Sequence, residues 1–160
     1  YNLSDPGQIL DKARDIVIQE FEKSETEVRD GMDIAICSLI EDKLEYAGAH
    51  NPLWIIRNGI LIETKANKQP IGKFENLQPY KTHSFQLEKG DTIYIFSDGY
   101  SDQFGGIRGK KYKTTNFKNF LLSIQENSME KQFSLLDAEF EKWRGSMEQI
   151  DDVCVIGLRI

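Results

Sequence analysis

The sequence predicts an α+β domain, a layered sandwich of mainly antiparallel sheets. A capped amphipathic helix opens the chain, a block of strands joined by tight turns fills its middle, and two helix-spaced segments stand between the last two strands. Strands gathered in a block, with helices at the start and near the end, argue against the regular alternation that a parallel doubly wound sheet needs.

Each element has a local cause. Asp5 can cap free amides and Pro6 already holds a helical φ, so a helix is expected over Gly7 to Phe21. Ile9, Leu10, Ala13, Ile16, Val17 and Phe21 recur at helical intervals and define its apolar face. After the charged stretch Glu22 to Asp30, the run Ile34 to Ile40 is apolar at nearly every position, the pattern of a central strand buried on both faces. Lys43 to Ala49 and Leu53 to Arg57 read as short strands. Asn58-Gly59 then turns the second of these into Ile60 to Glu63, because a two-residue type I′ turn needs positive φ at both positions and these residues adopt it most easily. Lys89-Gly90-Asp91 is another turn, launching the β-branched and aromatic strand Thr92 to Ser97, which Asp98-Gly99 ends. Phe117, Phe120, Leu121 and Ile124, then Phe133, Leu136, Phe140 and Trp143, predict two helices packed on the sheet through core positions, with Gly145 stopping the second. Val153 to Ile160 is the closing strand.

With 160 residues, 39% of them hydrophobic and 29% charged, the chain suits one globular domain with a core. Its net charge of −6 gives no electrostatic reason to expect nucleic acid or an anionic membrane as partner. No apolar stretch approaches the roughly 18 residues that a membrane span needs. Cys37 and Cys154 both sit inside apolar runs and read as buried, reduced thiols, which favours a cytoplasmic setting. A first residue Tyr1 and a terminal apolar strand suggest an excised C-terminal piece with residues missing upstream.

The chemistry-bearing candidates lie at strand ends. Asp98 stands at the exit of one apolar strand and Asp151-Asp152 at the entrance of another. If those strands are neighbours, the carboxylates converge at one rim, where they repel unless a cation neutralises them. Hard oxygen donors point to Mg²⁺ or Mn²⁺, and neither Cys nor His stands at the spacing that zinc sites use. Ser-Asp-Gly is also an ordinary turn and Asp-Asp an ordinary solvated loop, so each motif alone is equally readable as structural. Asp102, four residues after Asp98, and Asp33 in Asp30-Gly31-Met32-Asp33 are further candidate carboxylates, although acidic residues before a strand are common gatekeepers. His50, in a turn after a strand, could move protons, bind phosphate or simply bond its loop. Arg108 to Lys113 is a basic loop that could attract a phosphorylated substrate, with a solvated surface the better reading.

In order, Asp30-Gly31-Met32-Asp33, Tyr46 to Pro52, Pro70-Ile71-Gly72, Gly90-Asp91, Ser97-Asp98-Gly99-Tyr100 and Asp151-Asp152 closely resemble the protein phosphatase 2C-like family. The branch they are most similar to is the bacterial sporulation-stage-II-E and sigma-regulator type. The resemblance implies an α-β-β-α sandwich and hydrolysis of phosphoserine or phosphothreonine by a metal-activated water, with two Mn²⁺ or Mg²⁺ ions. It implies that Asp98 and Asp151 are metal ligands, with Asp152 an adjacent polar residue. The family's first metal motif, an Asp followed shortly by Gly-His-Gly, normally precedes the opening helix and is absent here. The expectation is therefore a single incomplete domain over residues 1–160, weakly active or inactive alone, with an upstream sensor region and exposed apolar sheet surface that favours a homodimer. A phosphoprotein substrate of a sigma-factor pathway, such as an anti-sigma-factor antagonist, is the implied partner. A non-catalytic protein-binding module on the same fold is the alternative, and a small-molecule phosphohydrolase a third.

Overall fold

The computed structural model describes residues 3–23 and 31–160; Tyr1, Asp30 and most of the charged stretch that ends there lie outside the described residues. The elements in chain order are α1 (Pro6–Glu22), β1 (Gly31–Met32), β2 (Ile34–Ile40), β3 (Lys43–Ala49), β4 (Leu53–Arg57), β5 (Ile60–Thr64), β6 (Ile71–Gly72) and β7 (His83–Gln86). They continue with β8 (Thr92–Phe96), α2 (Gly99–Asp102), β9 (Phe104–Gly105), β10 (Lys110–Lys111), α3 (Thr114–Ser123), α4 (Met129–Arg144) and β11 (Val155–Arg159). Two principal sheets form, of order β2-β3-β7 and β11-β8-β4-β5, with two short ladders, β1-β6 and β9-β10. The chain divides into two units, one of Tyr1–Leu53 and Glu63–Lys89 with Ile160, the other of Trp54–Ile62 and Gly90–Arg159.

In the first unit, α1 begins as its sequence requires. The Asp5 carboxylate accepts from the Gln8 N–H at 2.9 Å and from the Thr82 hydroxyl at 2.8 Å. Those two bonds hold the Asp5 carboxyl below its ordinary range. The buried face differs from expectation. Leu10, Ala13 and Val17 do pack with Ala47, Ala49, Ile71 and Tyr80, but Ile16 is exposed and Arg14 is buried. Arg14 is drawn inward because its guanidinium donates to the Gln78 carbonyl at 2.8 Å, pairs with Asp11 at 2.9 Å and lies over the Tyr80 ring. A cation so partnered covers apolar surface with its stem while its two terminal nitrogens are bonded, although its Nε is buried without a hydrogen-bond partner.

The run Ile34 to Ile40 is an edge strand, not the central one. Among the described residues β2 pairs only with β3, its first five residues are half-buried and its last two are exposed. The central place belongs to β3, whose Leu44, Tyr46, Ala47 and Ala49 are buried. Two segments quoted above for their resemblance meet here: β1 and β6 pair antiparallel with Gly31 opposite Gly72 and Met32 opposite Ile71. Gly31 is needed at that crossing, since a Cβ there would stand 2.6 Å from the Pro70 Cβ.

The second unit holds the four-stranded sheet and the later helices. Asn58 and Gly59 have φ of 50° and 72°, so the β4–β5 hairpin closes through the type I′ turn its sequence predicts. Trp54, Phe96, Tyr100 and Phe117 form a ring cluster, with Phe96 and Phe117 edge to face at 5.1 Å and Tyr100 stacked on Phe117 at 4.5 Å. Phe117 and Leu121 of α3 and Phe140 of α4 are its buried anchors, and Gly145 ends α4 at φ 57°. Phe133, which shares the helical spacing of those anchors, is 75% exposed. In the first turn of α4 the inward position is instead that of its neighbour Gln132, about 100° around the helix, which is buried and accepts from the Tyr94 hydroxyl. At the end of β4, Arg57 grips Asp91 with Nε–Oδ1 at 2.8 Å and Nη2–Oδ2 at 2.6 Å, and Asp91 is 1% exposed. The bidentate geometry offsets much of the cost of burying that carboxylate.

The thiols also depart from expectation. Cys37 is half-buried, whereas Cys154 is exposed at the start of the closing strand; neither is in a disulfide. Burial pushes the Cys37 thiol up to about 11. At pH 8 that leaves about one part in a thousand as thiolate. A disulfide reagent is therefore expected to label Cys154 first and Cys37 at least about tenfold more slowly, read by mass spectrometry over time. Equal rates would contradict the placement. Phe117→Ala is expected to cost about 3–5 kcal/mol and Phe133→Ala less than about 0.5 kcal/mol, as measured by urea unfolding of each variant.

Candidate functional site

The rim of the second unit is built by the pairing of β8 with β11. These strands are antiparallel neighbours, with Phe96 opposite Val155 and Ile95 opposite Ile156. The condition set by the sequence is met, because the exit of β8 and the entrance of β11 lie side by side. Ser97 continues the contact beyond the ladder. Its N–H donates to the Cys154 carbonyl at 3.0 Å, its hydroxyl donates to the Asp152 carbonyl at 2.8 Å, and that same oxygen accepts from the Cys154 N–H at 2.9 Å. Three bonds on one residue leave the Asp151-Asp152 segment little freedom relative to Asp98.

Gly99 tightens the approach further. A Cβ there would overlap the Asp152 carbonyl, so only glycine lets the two backbones come this close. Asp98 then starts the short turn α2, its carbonyl accepting from the Asp102 N–H at 2.9 Å and from the Ser101 hydroxyl at 3.0 Å. Asp98, Asp151 and Asp152 are all exposed. Behind the rim, Tyr100, Leu136, Phe140, Val153 and Cys154 line an open groove of about 430 Å³.

The other candidates have partners of their own. The Asp102 carboxylate pairs with Lys111 at 2.6 Å. Asp33 belongs to the first unit, where its Oδ1 lies 2.9 Å from His50 Nδ1. The register of Ile34 with Ala49 puts Asp33 and His50 next in line at the end of the β2–β3 ladder. An ionised carboxylate can only accept, so in this contact Nδ1 is the donor. His50 has a φ of 58°, and its N–H donates to the Asn67 carbonyl at 3.0 Å.

Sequence reasoning quoted Ser97 and Asp91 without giving either a role. A hydroxyl flanking a strand-end Asp, and an Arg ending one strand with an Asp opening another, were the only local signals for them.

The rim's donors suit a hard divalent cation in kind, being exposed carboxylates with nearby backbone carbonyls. They fall short in number: among the described residues no three of His, Cys, Asp and Glu come together to hold a metal ion. No helix among the described residues is long and apolar enough to cross a membrane.

Ser97→Ala removes the hydroxyl bridge and is expected to cost about 1–2 kcal/mol, with faster hydrogen exchange at the Cys154 amide. Gly99→Ala forces the Asp152 carbonyl aside and is expected to cost about 1–3 kcal/mol. Unchanged exchange at Cys154 together with an unchanged unfolding midpoint would show that this clamp does not hold the rim.

Comparison with known proteins agrees with this architecture. The SiaA-PP2C domain of Pseudomonas aeruginosa superposes with a TM-score of 0.86 at 23% identity, over 98% of this chain and 61% of that one. The phosphatase domain of the cell fate determinant SpoIIE from Bacillus subtilis gives 0.61 at 18% identity, over 100% and 75%. A serine/threonine phosphatase of S. agalactiae gives 0.65 at 14%, over 98% and 72%. The chain thus has the PP2C-type phosphatase fold and spans about three-fifths of the SiaA domain's length. No curated protein sequence matches it. Residues 2–160 match the family described as Stage II sporulation protein E, and the chain belongs to that family.

Proposed function

We propose that this chain carries one part of a metal-dependent serine/threonine phosphatase site, acting on phosphoserine or phosphothreonine in a protein substrate. The observation that carries the reading is the β8–β11 rim, where Ser97 and Gly99 bring Asp98 beside Asp151 and Asp152 in a chain of the SpoIIE family. Asp98 and Asp151 are the proposed ligands of Mg²⁺ or Mn²⁺. Asp152 helps place the segment through its carbonyl, and Asp102 keeps its ion pair with Lys111. Asp33 and His50 form a pair within the other unit and are not needed for this ligand set.

A divalent cation bound there would lower the pKa of a coordinated water and neutralise charge on the phosphoryl oxygens. The chain's own contribution is to hold two carboxylates on rigid strand ends, at a rim whose backbone cannot spread. Two such donors do not complete a site, so the remaining ligands are proposed to come from residues outside this chain. The chain alone is expected to bind metal weakly and to hydrolyse phosphopeptides poorly. Exposed Ile60, Ile62, Ile156 and Leu158 on the second unit's sheet support the further proposal of self-association.

The test is phosphoserine-peptide hydrolysis with Mn²⁺ by a protein extended upstream of Tyr1. The expected result is activity that falls about 100-fold or more in Asp98→Asn and in Asp151→Asn, with weaker Mn²⁺ binding by calorimetry in both. Full activity of Asp98→Asn would overturn the ligand assignment. The short donor set favours one alternative, a non-catalytic protein-binding module. An extended protein that folds but neither binds Mn²⁺ nor hydrolyses phosphopeptide would establish that alternative.

A further inference from the structure

Charge is distributed unevenly along this chain. From Gln103 to Gln125 there are five cations, Arg108, Lys110, Lys111, Lys113 and Lys118, and no carboxylate, in a chain whose net charge is −6. Four of the five lie on or directly after the β9–β10 hairpin, where Lys110 pairs with Gly105 and Lys111 with Phe104. The hairpin is not a loose loop. Its base is pinned by the Gly106 N–H to the Trp143 carbonyl at 2.8 Å, by the Tyr112 N–H to the Gln103 carbonyl at 2.9 Å, and by the Lys113 N–H to the Ser101 carbonyl at 2.7 Å. Gln103 and Tyr112 are buried beneath it. Its tip is set by Gly106 and Gly109 at φ 65° and 54°. That rigid tip holds Ile107 fully exposed, with Arg108 and Lys110 also exposed and without ion-pair partners among the described residues. Phe104, itself exposed, lies beside it under Lys111.

We propose that this hairpin is a docking surface for an acidic, extended protein segment carrying an apolar side chain. On the phosphatase reading above, on which this point rests, that segment belongs to the phosphoprotein. The hairpin is tethered to the same turn as Asp98, through the Asp102–Lys111 pair and the Asp98 carbonyl. A segment docked on the hairpin thus contacts an element bonded directly to the turn that Asp98 starts. Because the backbone is already ordered, docking meets little ordering cost. The rest of the chain is acidic, and charges are screened beyond roughly 8 Å. A short acidic segment therefore suits the patch better than an extended polyanion or an anionic membrane, either of which would also face the repelling remainder.

The test needs no turnover. A fluorescein-labelled peptide with several glutamates around one leucine is titrated with this chain and followed by anisotropy, alongside its glutamine counterpart. The expected result is binding of the acidic peptide alone, weakening as salt rises from about 50 to 300 mM. Arg108→Glu/Lys110→Glu is expected to weaken it at least about tenfold, with Arg108→Gln/Lys110→Gln and Ile107→Ser each giving a smaller loss. Thermal melting confirms that each variant is folded. Undiminished binding by the folded variants would overturn the proposal. So would binding of phosphatidylserine vesicles or a single-stranded oligonucleotide as tight as that of the peptide. If acidic peptides bind as stated but the extended protein hydrolyses no phosphopeptide, the phosphatase reading fails and the docking surface stands. Hydrolysis by variants whose acidic-peptide binding is undiminished sinks the docking surface alone.

Discussion

Antiparallel pairing of β8 with β11 is the contact on which the rim depends. It joins residues more than fifty positions apart, as the Ser97–Asp152 bond shows. Closing that excursion costs entropy that grows only slowly with its length, so a modest buried core can offset it. The core is supplied from within the excursion. Tyr100, Phe117, Leu121 and Phe140 all lie between the two strands in sequence and pack against Trp54 and Phe96. The same residues that lengthen the loop thus supply the burial that closes it, and the strand ends inherit a rigidity that a surface loop would lack.

At the rim, acidic side chains stay exposed and the backbone does the positioning. Asp98, Asp151 and Asp152 are exposed, so water and salt screen the charge at the rim. Asp91 shows the opposite arrangement in the same unit. It is buried, and it is tolerated because Arg57 meets it with two parallel hydrogen bonds. One carboxylate is thus buried in the fold, whereas those of the rim are exposed. What separates the two arrangements is burial and a fixed guanidinium, not the residue type.

The first unit shows how polar bonds order a stretch with little regular structure. The segment between β5 and β7 is held by Gln69, which donates to the Gln78 carbonyl at 2.6 Å and accepts its N–H at 2.9 Å. The Tyr80 hydroxyl donates to the Pro70 carbonyl at 2.8 Å, and Asp11 of α1 accepts the Tyr80 N–H at 3.1 Å. Helix and segment thus satisfy each other's backbone groups, as buried polar atoms require. None of these bonds follows a periodicity.

Local chemistry determined a large share of this fold. Asp5-Pro6 started α1, Asn58-Gly59 closed a hairpin, Gly145 ended α4, and Lys43–Ala49 and Leu53–Arg57 became strands with the bounds the pattern indicates. Each depends on φ preferences or side-chain periods that act within a few residues. The sequence also placed Asp98 and Asp151 at strand ends. Only the tertiary structure decided that those ends adjoin, that Ile34–Ile40 lies at an edge, that Arg14 turns inward while Ile16 and Phe133 face out, and that Cys154 is exposed. It alone paired Asp33 with His50. The reason is physical: hydrophobic spacing specifies which face of an element can be buried, whereas the neighbour that buries it is chosen by contacts between residues distant in the chain.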